Sequence, residues 1–120
     1  MPAQGSGPTA GVFTSHAQER VVFGTPAEQA VVAEAAHYGS ARIFVTSTRS
    51  LTEFSDGPLQ RIEAALGSKH VGTFTEIGAH SPREGVIEGA RRAREARADM
   101  LVAVGGGSVI DATKAMLMCL

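Results

Sequence analysis

Met100-Leu101-Val102-Ala103-Val104-Gly105-Gly106-Gly107-Ser108-Val109-Ile110-Asp111 is the stretch that decides how this chain folds. Its first five residues are apolar without alternation, as in a strand covered by helices on both faces of a parallel sheet. Three glycines then turn the chain. Ser108 is placed to cap the helix that follows, with Asp111 three residues on to complete a reciprocal capping box. Lacking Cβ atoms, glycines can take φ > 0 and bring their N–H groups close to a ligand. The helix start adds unpaired donors and about half a positive charge. A strand end, a glycine turn and a helix N-terminus together predict a phosphate or pyrophosphate cradle. The spacing is neither G-x-G-x-x-G nor a P-loop, since no Gly-Lys-Ser/Thr follows. A tight βα turn that binds nothing fits the same residues, so spacing alone leaves both open.

Working outward, apolar runs alternate with helical patterns, which predicts an α/β fold. Arg20-Val21-Val22-Phe23 reads as a first strand, and Thr25-Pro26-Ala27-Glu28 as a helix start with Thr25 as cap. That helix runs to about Tyr38, with Ala30, Val31, Glu34, Ala35 and Tyr38 on one side and Gly39 as its stop. Ile43-Phe44-Val45 is a fully apolar strand leading into Thr46-Ser47-Thr48. Leu59, Ile62, Ala65 and Leu66 mark the inner side of a second helix. Val71 to Thr75 reads as a strand weakened by Gly72. Ser81-Pro82-Arg83-Glu84 repeats the cap-Pro-x-Glu start and feeds a helix to about Ala96.

Composition sets the outer bounds. The chain has 120 residues, room for one compact domain, and is 43% apolar. No run approaches the ~18–20 apolar residues of a membrane span. Eleven Lys and Arg against twelve Asp and Glu give a net charge of −1, which argues against a nucleic-acid or polybasic membrane footprint. A lone cysteine, Cys119, excludes an internal disulfide framework and fits a reducing, cytoplasmic setting. With no partnered histidine or basic neighbour it reads as a small buried hydrophobe. Residues 1–10 read as a loose tail, and 11–120 as the folded unit. Arg91, Arg92, Arg94 and Arg97 are interleaved with Glu84, Glu88 and Glu95, the pattern of a solvated helix face.

From Ala98 through Ala115 the sequence resembles the iron-containing (group III) alcohol dehydrogenases, whose hallmark reads GGGSxxDxxKA. Arg20-Val21-Val22-Phe23-Gly24, Ile43-Phe44-Val45-Thr46-Ser47 and His80-Ser81-Pro82 extend the resemblance over nearly the whole chain. The resemblance implies a Rossmann-like α/β domain with a mainly parallel sheet and flanking helices. It implies that this domain is the amino-terminal, dinucleotide-binding half of a two-domain enzyme that oxidises an alcohol or reduces a carbonyl. It implies that Gly105, Gly106, Gly107 and Ser108 hold the pyrophosphate of NAD or NADP, with Asp111 beside the nicotinamide-side ribose. Ser81 matches a polar contact near the adenine. Ser47 stands where NAD-selective relatives carry an aspartate on the adenosine ribose. Without that acid nothing repels a 2′-phosphate, and Thr46, Thr48 and Arg49 could accept one.

Sister enzymes share the hallmark. The stretch from Gly11-Val12-Phe13 to Gly24 also resembles maleylacetate reductases, but these often lack an acid where Asp111 stands, so the general alcohol dehydrogenase reading leads. A glycerol dehydrogenase and a non-catalytic fragment are the other readings.

The family's divalent metal, iron or zinc, is implied to sit in a helical domain absent from this sequence. His16, His37, His70 and His80 lack metal-ligand spacing and read as surface or loop histidines. The apolar end, Met116-Leu117-Met118-Cys119-Leu120, has no stop signal. The chain is therefore expected to be part of a longer enzyme and inactive alone. That apolar end and the segment Val12–Phe23 also predict a homo-oligomer. Lys114, one turn into the last helix, fits either a phosphate contact or a surface lysine.

Overall fold

The computed structural model describes residues 11–13, 21–79 and 81–120, so the 1–10 tail, His16 and His80 lie outside the described residues. In chain order these form β1 (Gly11–Phe13), β2 (Val21–Phe23), α1 (Ala27–His37), β3 (Ile43–Thr46), α2 (Pro58–Leu66), β4 (His70–Phe74), α3 (Pro82–Glu95), β5 (Met100–Ala103) and α4 (Gly107–Met118). Short 3-10 turns cover Arg49–Glu53, Gly67–Lys69 and Ile77–Ala79.

The parallel sheet has the strand order β4-β3-β5. Ile43 to Thr46 pair residue for residue with Met100 to Ala103. On the other side of β3 the register shifts between Ile43 and Phe44, so that Phe44 faces Gly72. A Cβ on Gly72 would lie 2.9 Å from the Phe44 ring, so this glycine makes room for an aromatic at a bulge. The expected first strand does not join this sheet. β2 pairs antiparallel with β1, Gly11 opposite Phe23, as a separate two-stranded ribbon. A short β-rich run carries no record of its partner, and an upstream neighbour needs no crossover connection.

The pleat of β3 sends alternate side chains to opposite faces. Ile43 and Val45 pack with Ala35 of α1 and with Leu59, Ile62 and Leu66 of α2. Phe44 packs on the other face with Phe74, Ala90 and Ala93 of α3, and Met116 of α4. The result is the predicted α/β arrangement, a parallel sheet with helices on both faces. Each large side chain buried there is worth about 1.5–3 kcal/mol. Ala65 and Tyr38, placed inward by spacing, are exposed. Ala35 is the fully buried residue of α1.

The helix ends are read with mixed success from sequence. Ser81 caps α3 as predicted: its Oγ accepts from Glu84 N at 3.3 Å, and Glu84 Oε1 accepts from Ser81 N at 3.4 Å. Gly39 stops α1 with φ +68°, and Ser40 N donates back to Ala35 O at 2.9 Å. Thr25 does not cap α1. Pro26 takes the N-cap position with no side-chain cap, its carbonyl accepting from Gln29 and Ala30 N–H at 3.0 Å. At the amino end of the sheet, Asp99 accepts from the N–H groups of Ala41 and Arg42 at 3.0 and 3.1 Å. The Arg42 guanidinium donates to Ala96 O, closing the carboxyl end of α3.

Candidate functional site

β3 passes the chain to α2 on one face and β5 passes it to α4 on the other, so the loops leaving these adjacent strands part at their carboxyl ends. Open α/β sheets bind ligands at such a switch point. On the α3/α4 side of that end lies a cleft of about 520 Å³. Thr48 from the loop after β3, Ile77 and Gly78 from the turn after β4, and Pro82 and Val86 of α3 form one wall. Ser108, Asp111, Ala112 and Ala115 form the other. These four fall at i, i+3, i+4 and i+7, one face of α4, and the two alanines leave the space between the helices open. A mostly apolar hollow with a few convergent polar groups suits an organic ligand.

The three glycines do different jobs. Gly105 has φ +149°, and a Cβ there would meet Val109 Cγ2 at 3.0 Å, so the fold itself demands glycine. Gly106 has φ −91°, and a Cβ on Gly106 or Gly107 would meet no atom within 4 Å. The fold does not need glycine at these two positions. What their missing side chains leave is open space in front of the backbone at the start of α4.

The helix begins earlier than the sequence suggests. Gly106, at ψ −166°, is the N-cap, and its carbonyl accepts from both Val109 and Ile110 N–H at 3.1 Å. Ser108 therefore lies within the first turn, and the expected Ser108–Asp111 capping box does not form. The N–H groups of Gly107 and Ser108 precede every intrahelical donor and have no acceptor inside α4. The Ser108 and Asp111 side chains line the cleft instead.

The hydroxyl run after β3 is also sorted by the fold. Thr46 and Ser47 are fully buried. Ser47 Oγ donates to Val104 O at 2.7 Å and Ser47 N donates to Phe74 O at 3.0 Å, pinning the ends of all three strands. The structure thus commits the Ser47 hydroxyl, expected beside the adenosine ribose, to the protein. Thr46 is bonded to Thr113, so it is closed to a phosphate. Thr48 is the hydroxyl of this run that reaches the cleft. Thr46 ends β3 and Thr48 lies two residues beyond it, and the crossing of α4 covers the first and leaves the second at the cleft. Ser81 sits at the start of α3 beside the cleft residue Pro82, its Oγ engaged in the cap.

Among the described residues no three His, Cys, Asp or Glu side chains gather where a metal ion could sit. His70 Nε2 lies 2.6 Å from Thr73 Oγ1, which donates to Glu63 at 2.5 Å. His37 packs edge-on to Tyr38. On α3, Arg91 and Arg92 both bond Glu88, as the spacing predicts, and hold its carboxyl down at about 2. Lys114 is exposed and does not line the cleft. Cys119 is exposed rather than buried, because Met116 is the last inward residue before α4 ends. No described helix is long and apolar enough to cross a membrane.

The family described as iron-containing alcohol dehydrogenase matches residues 18–120. The chain is 40% identical over 97 residues to a maleylacetate reductase of Sphingobium indicum, covering 81% of this chain and 26% of that protein. It is 36% identical to maleylacetate reductase 2 of Cupriavidus pinatubonensis, covering 82% and 26%. A solved maleylacetate reductase from Agrobacterium tumefaciens matches with a TM-score of 0.67 at 28% identity, over 78% of this chain and 25% of that one. The chain spans about a quarter of the length of these relatives.

Proposed function

The chain belongs to the iron-containing alcohol dehydrogenase family, and from that premise we propose that it is the dinucleotide-binding part of an NAD(P)-dependent oxidoreductase acting on a small alcohol or carbonyl. The observation that carries this reading is the pair Gly106–Gly107: glycines the fold does not require, with open space before them, at a helix N-terminus beside a large cleft. Close approach of a phosphate is the requirement that accounts for both.

The residues fit the group. Gly107 and Ser108 N–H donate to pyrophosphate oxygens, and the positive end of α4 supports the charge. The Ser108 hydroxyl is within the same first turn. Asp111, one turn deeper on the cleft face, accepts from a ribose hydroxyl. Ile77, Val86, Ala112 and Ala115 exclude water from the flat parts of the ligand. When bound, the nicotinamide supplies or accepts the hydride. Among the described residues no set fits the family's divalent metal, iron or zinc, and none of the roles above uses one. The same proposal takes the intact enzyme as a cytoplasmic homo-oligomer, and the 120-residue chain as inactive alone.

A maleylacetate reductase is the favoured form of this activity, because relatives of that name match at 36–40% identity. Asp111, an acid on the cleft face of α4, is the residue that favours the general alcohol dehydrogenase form.

Calorimetric titration of the chain with NADH and NADPH tests the proposal. Binding is expected, and Gly106→Asp should abolish it while leaving the circular-dichroism spectrum folded. A folded chain that binds neither cofactor overturns it.

A further inference from the structure

The glycine turn is held at both of its ends from one place, the end of β3. On the strand side, Ser47 Oγ donates to Val104 O at 2.7 Å, and Val104 N donates to Thr46 O at 2.8 Å. On the helix side, Thr46 Oγ1 lies 2.6 Å from Thr113 Oγ1 of α4. All four residues are buried. Between these anchors run Gly105, Gly106 and Gly107, and a Cβ on either of the last two would meet no atom within 4 Å. Such a segment has no side chains to pack and loses much freedom on ordering, so its ends set its shape. The Val104 carbonyl belongs to the peptide plane that enters Gly105, whose φ is +149°. Holding that oxygen fixes the plane, and with it the direction in which the turn leaves β5.

We propose that Ser47 is a positioning residue for pyrophosphate binding, acting through the Val104 carbonyl to hold the Gly107 and Ser108 N–H groups where the phosphates meet them. The proposal rests on the dinucleotide reading above and adds to it a residue that does not touch the cofactor. Ser47 does not line the cleft. Its hydroxyl carries one proton, given to Val104 O, and its N–H is given to Phe74 O at 3.0 Å. Donors aimed beforehand bind an anion at a smaller ordering cost than donors that must first be collected. A direct contact at the adenosine ribose would treat NADH and NADPH differently, because the two differ at that sugar. A role through Val104 acts alike on every ligand that carries the pyrophosphate.

The experiment titrates the 120-residue chain calorimetrically with NADH and NADPH, in the wild type, Ser47→Ala and Asp99→Asn, and measures backbone 15N order parameters without ligand. Ser47→Ala should weaken both cofactors by one factor, about five- to tenfold. It should also lower the order parameters of Gly105, Gly106 and Gly107 while those of α2 hold. Asp99→Asn loosens the opposite end of the sheet and should leave both affinities unchanged. Should Ser47→Ala not fold, Ser47→Cys, close in size with only a weak S–H donor, carries the same expectation. Unchanged affinities, a loss confined to one cofactor, a loss without any change in the turn's order parameters, or an equal loss in Asp99→Asn would each overturn the proposal and leave the pyrophosphate site standing. Binding of neither cofactor by the folded wild-type chain overturns both.

Discussion

Thr46 Oγ1 and Thr113 Oγ1 lie 2.6 Å apart in the interior between β3 and α4, 67 residues apart in sequence. Thr113 Oγ1 also donates to Val109 O at 2.7 Å and Thr46 Oγ1 lies 3.5 Å from Val102 O, so each hydroxyl of the pair has a backbone carbonyl beside it. This chain of hydroxyls fixes α4, and with it the glycine turn, against the sheet.

Removing one end leaves the other stranded. Thr113→Val should cost about 1–3 kcal/mol, since the buried Thr46 hydroxyl is left with only the long contact to Val102 O at 3.5 Å. Thr46→Val combined with Thr113→Val should recover much of that loss. Urea denaturation of the two single variants and the double variant measures the coupling. Additive losses would show that the two hydroxyls do not interact.

The glycine turn should separate fold from binding. Gly105→Ala forces a side chain onto φ +149° against Val109 and should destabilise by about 1–3 kcal/mol. Gly106→Ala meets nothing and should cost no more than about 1 kcal/mol, the loss of a favourable N-cap residue, while weakening NADPH. Thermal unfolding beside cofactor titration distinguishes the two effects.

Arg97 holds φ +56°, the left-handed residue after α3, where Ala98 N returns to Ala93 O at 3.0 Å. Arg97→Gly should stabilise the chain by about 1 kcal/mol, because a Cβ in this conformation is penalised and glycine is not. An unchanged or lower melting temperature would contradict this.

Acid should weaken the amino end of the sheet. Hydrogen bonds from Ala41 N, first, and Arg42 N hold the Asp99 carboxyl below its ordinary value. The unfolded chain therefore takes up this proton first, and stability falls with falling pH. The contribution is whole above the usual carboxylate range and is lost as pH drops through the lowered folded value. Glu88 acts with the same sign between its ordinary 4.5 and about 2. Urea midpoints between pH 5 and 2 should decline less steeply in Asp99→Asn.

Much of this was legible in the residues because it depends on near neighbours. Pro82 lacks an N–H and fixes φ, so Ser81 could only be the residue before the helix, and the cap with Glu84 follows. The inward residues Leu59, Ile62 and Leu66 are one turn apart, and period alone places them. At Ser108 no proline sets the frame. Gly106, free to adopt an extended conformation, accepts the first helical bonds and moves the start of α4 two residues upstream.

What the tertiary structure alone decided is which polar groups are spent and which are free. Thr46, Ser47 and Thr48 are near equals in sequence, yet α4 covers the first, the end of β5 claims the second, and the third is left to the cleft. The switch point arises because β4 and β5 add to opposite sides of β3. Strand order and hydroxyl burial are set by contacts made across 27 to 67 residues, from Ile43 opposite His70 to Thr46 beside Thr113, which no local spacing records. The sequence by itself determined the α/β class, most helix faces and the glycine turn, because backbone freedom and period are local properties.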